Sequence, residues 1–364
     1  MALIDVIGQE KAVNILLRTL QRDRIPSSYL FTGESGIGKK FTAVNLAKAL
    51  NCLKHVTSNE LQVTSKTQIQ NSELNSSFVT RHSSLIFDCC DECSSCKKID
   101  AGVHPDFVFI EPESGQIRIE EIRAIDDTLS LKPFEGRWKI VIVDEAHMMN
   151  SYAANAFLKT LEEPPNESLI ILISSNPDRL PDTIRSRCSR LNFTPLNNEA
   201  CEKVIRKVRS QQSEVKSQKT TAKKPGTDDS LLTTLVRLSM GRPGLAISGD
   251  LIEERKWFLD LLQEMMKAEK DGWTSKEEIE RWFDLIVLLL RDMAVIQITG
   301  DAGNLINIDL QDYIKKFSSS MDLRGIIDSY QKLNTLKGYL NFNLNKSLSW
   351  NYTGSLLRRF KTEQ

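Results

Sequence analysis

The chain has no long apolar run. Its best candidate for a membrane span, Ile286 to Leu290, is hemmed in by Asp284, Arg291 and Asp292, far short of the roughly 18 apolar residues a span requires. It also lacks net charge, since 48 Lys and Arg balance 48 Asp and Glu. Any nucleic-acid contact must therefore come from a local patch rather than a basic body, and protein partners are the safer expectation. Met1 is followed by ALIDVIGQEKA, which has neither the basic start nor the apolar core of a secretory signal, so a cytoplasmic location without membrane contact is expected. A secreted disulfide framework is missing too. Of seven cysteines, four fall within 89 to 96, while Cys52, Cys188 and Cys201 are scattered; this clustering favours metal ligation in a reducing compartment. With 364 residues, the chain exceeds the roughly 250 that one hydrophobic core supports, which predicts several domains.

Short apolar runs recur between amphipathic stretches: Tyr29 to Thr32, Phe107 to Ile110, Ile140 to Val143 and Leu169 to Ile173. Their length and richness in Val, Ile and Phe predict strands of a parallel sheet buried on both faces. Ile119, Ile122, Ile125 and Leu129 make one helical stripe. Ala153, Phe157, Thr160 and Leu161 make another, which Pro164 and Pro165 bring to a stop. The first half is therefore α/β. Residues 53 to 88 and 210 to 229 are polar without sustained period; the first reads as a solvated insertion or a docking segment, the second as an extended surface loop between helices near 197 to 209 and 230 to 240. From about 250 onward the pattern is all helical. Ser275 and Glu278 form a capping box before a face of Ile279, Trp282, Phe283, Ile286, Leu289, Leu290 and Met293, and Leu323, Ile326, Ile327, Tyr330 and Leu333 make a later stripe. Such wide faces suit a bundle core, with a subunit interface as the alternative.

Three constellations carry chemistry. The strand at 29 to 32 runs into Gly33-Glu34-Ser35-Gly36-Ile37-Gly38-Lys39 and then a helical pattern. Here Gly33, Gly36 and Gly38 let backbone N–H groups curl around phosphates, and Lys39 supplies the charge for the β and γ phosphates of ATP or ADP. The next position departs from the motif. Lys40 stands where Ser or Thr would ligate Mg²⁺, and Thr42 is two residues too late, so nucleotide binding with poor Mg²⁺ coordination is expected. The strand at 140 to 143 delivers Asp144 and Glu145 to its carboxyl end, suited to a metal's water shell and to polarising water. Ser175, at the end of the neighbouring strand, is a candidate γ-phosphate sensor. A plain strand-end turn explains it equally well.

The third is Cys90, Cys93 and Cys96, a C-x2-C-x2-C run. Closed tetrahedral Zn²⁺ needs a fourth ligand. Cys89 is adjacent to Cys90, and successive residues seldom face one ion, so Cys52 is the stronger candidate and Cys89 the alternative. His104, beside Pro105, reads as a packing residue. The metal is expected to be structural, for no open position or nearby general base is apparent.

GESGIGKK, the cysteine run, AGVHPDF, VDEAHMMN, AANAFLKTLEEPP and IRSRCSRLNF, in that order, resemble the bacterial DNA polymerase III clamp-loader subunits of the AAA+ superfamily. The likeness is strongest over 90 to 193, and NFNLNKSLSW at 341 to 350 is similar to the Asn-rich final collar segment. The resemblance implies an AAA+ domain with a zinc module at 1 to 192, a small helical lid at 193 to 249 and a helical collar at 250 to 364. It also implies a pentameric ring with gamma/tau motor subunits and delta, which loads a sliding clamp at primer-template DNA. Ser186-Arg187-Cys188 resembles the SRC motif of that family, whose arginine reaches the next subunit's ATP site. Lys40 in place of a hydroxyl residue, Gly244 where the motor's lid carries arginine, and the lack of a proline-rich C-terminal extension imply the delta-prime type, a stator with little or no ATPase of its own. Arg242 is a displaced substitute for the lid arginine. A gamma/tau motor is the alternative within the family. A homohexameric helicase or recombination remodeller is the alternative outside it, disfavoured by the cysteine run and LEEPP.

Overall fold

Two cores, one on each face of a parallel sheet, organise the first half of the chain in the computed structural model. It describes residues 2–54, 88–216, 229–248, 250–267, 272–273, 275–319, 321–339 and 345–358. The polar insertion expected at 53 to 88 lies almost wholly outside the described residues, as do 217–228 of the second polar stretch and 341–344 of the Asn-rich segment. The chain divides into two compact units, residues 1–200 and 201–364.

In the first unit the elements run α1 (Glu10–Gln21), β1 (Ser28–Thr32), α2 (Lys39–Asn51), α3 (Ser94–Asp100), β2 (Phe107–Ile110), α4 (Ile119–Ser130), β3 (Lys139–Val143), α5 (Ser151–Glu162), β4 (Ser168–Ser174), α6 (Asp182–Arg185) and β5 (Ser189–Asn192). The strand order is β2-β3-β4-β1-β5, and every pairing is parallel. Alternation along each strand sorts its side chains between the faces. Tyr29, Phe31, Ile140, Ile142, Ile171 and Ile173 pack with Leu16 of α1 and Leu46 of α2. Leu30, Val141, Val143, Ile170 and Leu172 pack with Ile122 of α4 and Phe157 of α5. That two-sided burial is why β1, β3 and β4 read as continuous apolar runs; β2, at one edge of the sheet, is apolar but only partly buried. β5 has no such run, because apart from the buried Leu191 it is polar and exposed. The Asn150 side chain accepts the Ala153 N–H at 2.8 Å to open α5, and the helix ends at Glu162, just before Pro164.

The second unit takes up α7 (Asn198–Lys216), whose first residues lie in unit 1, and continues through α8 (Asp229–Leu238), α9 (Pro243–Ser248), α10 (Asp250–Lys267), α11 (Lys276–Thr299), α12 (Gln311–Ser319), α13 (Leu323–Tyr339) and α14 (Lys346–Arg358). α7 runs to Lys216, so residues 210 to 216 are helix where an extended loop is expected from their polarity; Gln, Glu and Lys, though polar, are good helix formers. The capping box forms as expected, with the Glu278 N–H donating to Ser275 Oγ at 3.2 Å and the Ser275 N–H to the Glu278 carboxylate at 3.3 Å. All seven apolar residues assigned to the face of α11 are buried. On α13 the buried line is Ile326, Ser329 and Leu333, whereas Ile327 and Tyr330 are 45% and 40% exposed, so that stripe is narrower than its sequence spacing predicts. No helix among the described residues is long and apolar enough to cross a membrane.

A polar network locks the segment after α11. The fully buried Asp292 accepts N–H groups from Ile306 at 3.1 Å and Asn307 at 2.7 Å, plus the Asn307 side-chain amide at 2.7 Å. Arg255 grips Asp309 through two bonds of 2.9 Å and donates to Asn307 Oδ1 at 2.7 Å. Each carboxylate lone pair thus replaces water that the fold has removed.

Candidate functional site

The phosphate loop connects β1 to α2. Gly33, Gly36 and Gly38 all have left-handed φ, at 140°, 80° and 100°. A Cβ on Gly33 would meet the Phe193 carbonyl oxygen at 2.5 Å and Ile37 Cδ1 at 2.7 Å, so both backbone conformation and space demand glycine there. Lys39 is buried, and its ammonium donates to the carbonyls of Gly33 and Glu34 at 2.6 Å each. Burial pulls its pKa below the usual lysine value, against the opposing pull of Glu145, Asp144 and Glu34. Lys40 points elsewhere. Its ammonium pairs with Glu111, just past β2, and sits 4.2 Å from the centroid of the Phe109 ring. The Thr42 hydroxyl is fully buried and donates to the Gly38 carbonyl at 2.9 Å, so it cannot stand in for the missing Mg²⁺ ligand. The residues present do not fit a magnesium site of the usual P-loop kind.

Asp144 and Glu145 follow β3. Burial raises the Asp144 carboxyl above its ordinary range, aided by Glu145 and opposed by the Glu145 N–H and by Lys40. Glu145 sits at φ 45°, a conformation costing a non-glycine residue roughly 1–2 kcal/mol. Its carboxylate is held from the β4 side, accepting the Ser175 hydroxyl at 2.7 Å and N–H at 3.3 Å, and lies 3.2 Å from His147 Nδ1. The same ring nitrogen is 3.3 Å from Ser174 Oγ. The sensor candidate Ser175 and the water-polarising candidate Glu145 are therefore brought together, as partners. His147 and Glu111 are the residues that sequence reasoning missed. His147 stood in the DEAH string, but a lone histidine after a strand carries no signal of its contacts. Glu111 had none.

Arg187 lies at the opposite end of the sheet. The Ser28 hydroxyl, at the start of β1, donates to its carbonyl at 2.8 Å, and the parallel register matches Tyr29 to Ser189 and Thr32 to Asn192. The phosphate loop begins five residues on from Ser28, a rise of about 16 Å along a strand. The guanidinium donates to the Thr183 carbonyl at 2.9 Å and to Glu162 at 2.5 Å, with a third of the side chain exposed. Ser186 donates to the Thr183 carbonyl at 3.2 Å. Burial pushes the Cys188 thiol up to about 11, which leaves it an inert packing group.

The cysteines converge. The sulfurs of Cys52, Cys90, Cys93 and Cys96 all lie within 4.8 Å of one another, with Cys52 and Cys93 at 4.0 Å. A tetrahedron with metal–sulfur bonds of about 2.3 Å has edges of about 3.8 Å. Cys52 caps the end of α2 and Cys93 caps the start of α3. Backbone N–H groups of Cys90, Cys93 and Cys96 point at the sulfurs of Cys52, Cys90 and Cys93 at 3.3–3.4 Å, the donors that thiolates require. Cys89 lies outside this quartet: its sulfur points toward Asp91, at 3.6 Å, and also meets Cys96. Around this centre, Lys48 is 2% exposed and bonds Asp91 and Asp100; although burial opposes its charge, these partners hold its pKa above normal. Asp88 accepts the N–H groups of Leu3 and Ile4 at 3.0 Å. His104 is no ligand. Its Nδ1 accepts the Asp106 N–H at 3.1 Å, and it packs in the core beside Pro105.

The chain is 27% identical over 348 residues to the DNA polymerase III subunit delta′ of Bacillus subtilis, spanning 93% of this chain and 92% of that one. To the subunit tau/gamma of Haemophilus influenzae it is 34% identical over 193 residues, 53% of this chain but 24% of that protein. The chain thus spans about a quarter of that relative's length. Among solved structures, a DNA polymerase III gamma subunit-related protein of Thermotoga maritima aligns over 95% of this chain and 99% of its own, at 20% identity and a TM-score of 0.42. The family model described as DNA polymerase III, delta subunit matches residues 8–86 and 72–197. Together those matches take in more than half of the chain, which therefore belongs to the DNA polymerase III delta subunit family, with its end-to-end likeness to delta′.

Proposed function

We propose that the chain is the delta′ stator of a DNA polymerase III clamp loader, in a pentameric ring with gamma/tau motor subunits and delta that opens a sliding clamp and closes it on primer-template DNA. Its contribution to ATP hydrolysis is Arg187, presented to the nucleotide of the neighbouring motor. The observation that carries this reading is the register of β1 against β5. It puts Arg187 at the amino edge of the sheet and the phosphate loop at the carboxyl edge, so Arg187 cannot serve its own chain's phosphates. An exposed guanidinium there is available to another chain. Its pair with Glu162 is about half exposed on the glutamate side, and such pairs are worth roughly 0–1 kcal/mol. Beside a developing γ-phosphate charge in a dry interface, an arginine finger is worth about 10³-fold or more in rate, so releasing Glu162 costs little by comparison.

The chain's own loop would hold nucleotide through the glycine-shaped backbone and Lys39 but hydrolyse it poorly, lacking a hydroxyl for Mg²⁺ and with Glu145 engaged by Ser175 and His147. We assign residues 193–249 to a lid and 250–364 to a collar. Zn²⁺ would be held by Cys52, Cys90, Cys93 and Cys96 as a closed structural centre that staples α2 to α3; when bound, it supplies rigidity rather than chemistry.

The test is the DNA-stimulated ATPase of a loader reconstituted with its own motor subunits, delta, clamp and primed template. With Arg187→Ala, the neighbouring site should fall silent and steady-state turnover drop by that site's share, while the isolated wild-type chain is inactive. Unchanged turnover, together with robust hydrolysis by the isolated chain that Lys39→Ala abolishes, would make the chain a motor instead.

A further inference from the structure

The residue that spoils the magnesium site adds a second positive charge at the start of α2. Lys40 follows Lys39 directly, so two ammonium groups rise from the first turn of α2. The second reaches across to Glu111, beyond the end of β2. Glu111 follows Ile110, whose carbonyl accepts the Asp144 N–H at 2.8 Å, so the ammonium is held near the acidic end of β3. Lys40 therefore lies in the zone between phosphate loop and acidic strand end that a divalent cation bridges in a hydrolysing P-loop site. Both sides of the Lys40–Glu111 pair are about half exposed, so the ammonium is weakly held and able to turn to a stronger anion.

We propose that this loop holds a nucleoside diphosphate without a divalent cation, with Lys40 as the second positive charge on the phosphates. The inference rests on the nucleotide reading of the loop given above. Lys39 and the loop serve a β-phosphate as in any P-loop, and Lys40, released from Glu111, neutralises its remaining charge. A third phosphate fares worse. It would face Asp144 and Glu145 with no metal ligand set to separate the like charges, and the Thr42 hydroxyl is already committed to Gly38. The site so described is a permanent resting place for a diphosphate, consistent with a subunit whose part in the cycle is to stay still.

The measurement is ADP and ATP affinity of the full chain by calorimetry, in excess EDTA and in millimolar Mg²⁺, for wild type, Lys40→Ser and Glu111→Gln. The expected wild type binds ADP within about twofold in the two buffers, and binds ATP more weakly than ADP in EDTA. Lys40→Ser, which restores a hydroxyl and deletes a charge-assisted bond, should lose about tenfold for ADP in EDTA and recover in Mg²⁺. Glu111→Gln should bind ADP in EDTA at least as tightly as wild type, a result that misfolding cannot mimic. Wild-type ADP binding that requires Mg²⁺, tighter binding of ATP than ADP in EDTA, or a Lys40→Ser variant indistinguishable from wild type in EDTA overturns the proposal and leaves the nucleotide site standing. No ADP binding in either buffer sinks the nucleotide reading itself.

Discussion

Removing the metal from the cysteine centre should cost the first unit a definable amount of stability. The four sulfurs lie within 4.8 Å of one another and belong to the end of α2, the start of α3 and the segment between. A cation there binds the folded arrangement and not the dispersed chain, so it stabilises by mass action, about 4 kcal/mol when free metal stands a thousandfold above the dissociation constant. For a domain of 150–250 residues each kcal/mol moves the midpoint by about 2–4 °C, giving a fall of roughly 8–16 °C on chelation. The ligand assignment sharpens the test. Cys52→Ser should lower zinc content and melting temperature together, since three thiolates do not close a tetrahedron, whereas Cys89→Ser should keep one zinc per chain. Elemental analysis of protein purified without chelator, paired with calorimetry before and after chelation, reads both effects. Substoichiometric metal in wild type, or zinc lost from Cys89→Ser and kept by Cys52→Ser, would refute the assignment.

Two further expectations concern buried polar groups. His147 should titrate below the ordinary histidine value, because burial disfavours its charge more than Glu145 favours it, with Arg179 and Lys39 adding repulsion. A pKa lowered on folding means that His147's contribution to stability is complete above about pH 6.5 and is lost as pH falls through the folded value. With four histidines in the chain, ring-labelled NMR resolves the titration, and a midpoint at or above 6.5 would contradict this account. Asp292→Ala should destabilise the second unit by about 3 kcal/mol, since it strands the Ile306 and Asn307 N–H groups in the interior. Urea unfolding followed by the emission of Trp282 and its neighbours checks it; a loss under 1 kcal/mol would mean that water replaces the carboxylate.

What could be read in the sequence was what local pattern encodes. The inner strands β1, β3 and β4 announced themselves because both faces are covered, β2 because it stays apolar at one edge of the sheet, and α5 because its stripe stops at the prolines after Glu162. β5 hid because its exposed residues Ser189, Arg190 and Asn192 are polar, which leaves Leu191 alone to carry the pattern. The narrower buried line of α13 hid for a different reason. Helical spacing marks which residues share a side of the helix, but only the neighbouring helices decide how wide a strip they cover. Of the site, the glycines, Lys39 and the run Cys90, Cys93 and Cys96 were legible, since their geometry follows from residue type and spacing, whereas the choice of Cys52 over Cys89 rested only on the rule that adjacent residues seldom face one ion. The partners were not. Glu111 meets Lys40 across 71 residues of chain, and Glu162 meets Arg187 across 25; long-range pairs of this kind are set by topology, to which a single sequence gives no register.

The two ends of the sheet bear different marks. At the carboxyl edge the loop has the glycines and Lys39 but carries Lys40 where a metal-holding hydroxyl would stand, and Glu145 is tied to Ser175 and His147. At the amino edge the SRC segment presents an arginine whose intramolecular bonds, to a carbonyl and a half-exposed glutamate, leave its charge accessible. A chain that worked only on its own nucleotide would need the first edge intact and would have no use for the second. A chain that completes a neighbour's site needs the reverse, and its own loop is then free to become a structural element. If so, Lys40→Ser and Arg187→Ala should act independently: the first should leave the loader's turnover unaltered, its effect on this chain's nucleotide being confined to excess EDTA, and the second should lower turnover by the neighbouring site's share without altering occupancy. Steady-state ATPase and bound-nucleotide content of the reconstituted loader separate the two. A Lys40→Ser variant that abolished turnover would mean that the two edges are coupled through the sheet, and that the loop is part of the cycle after all.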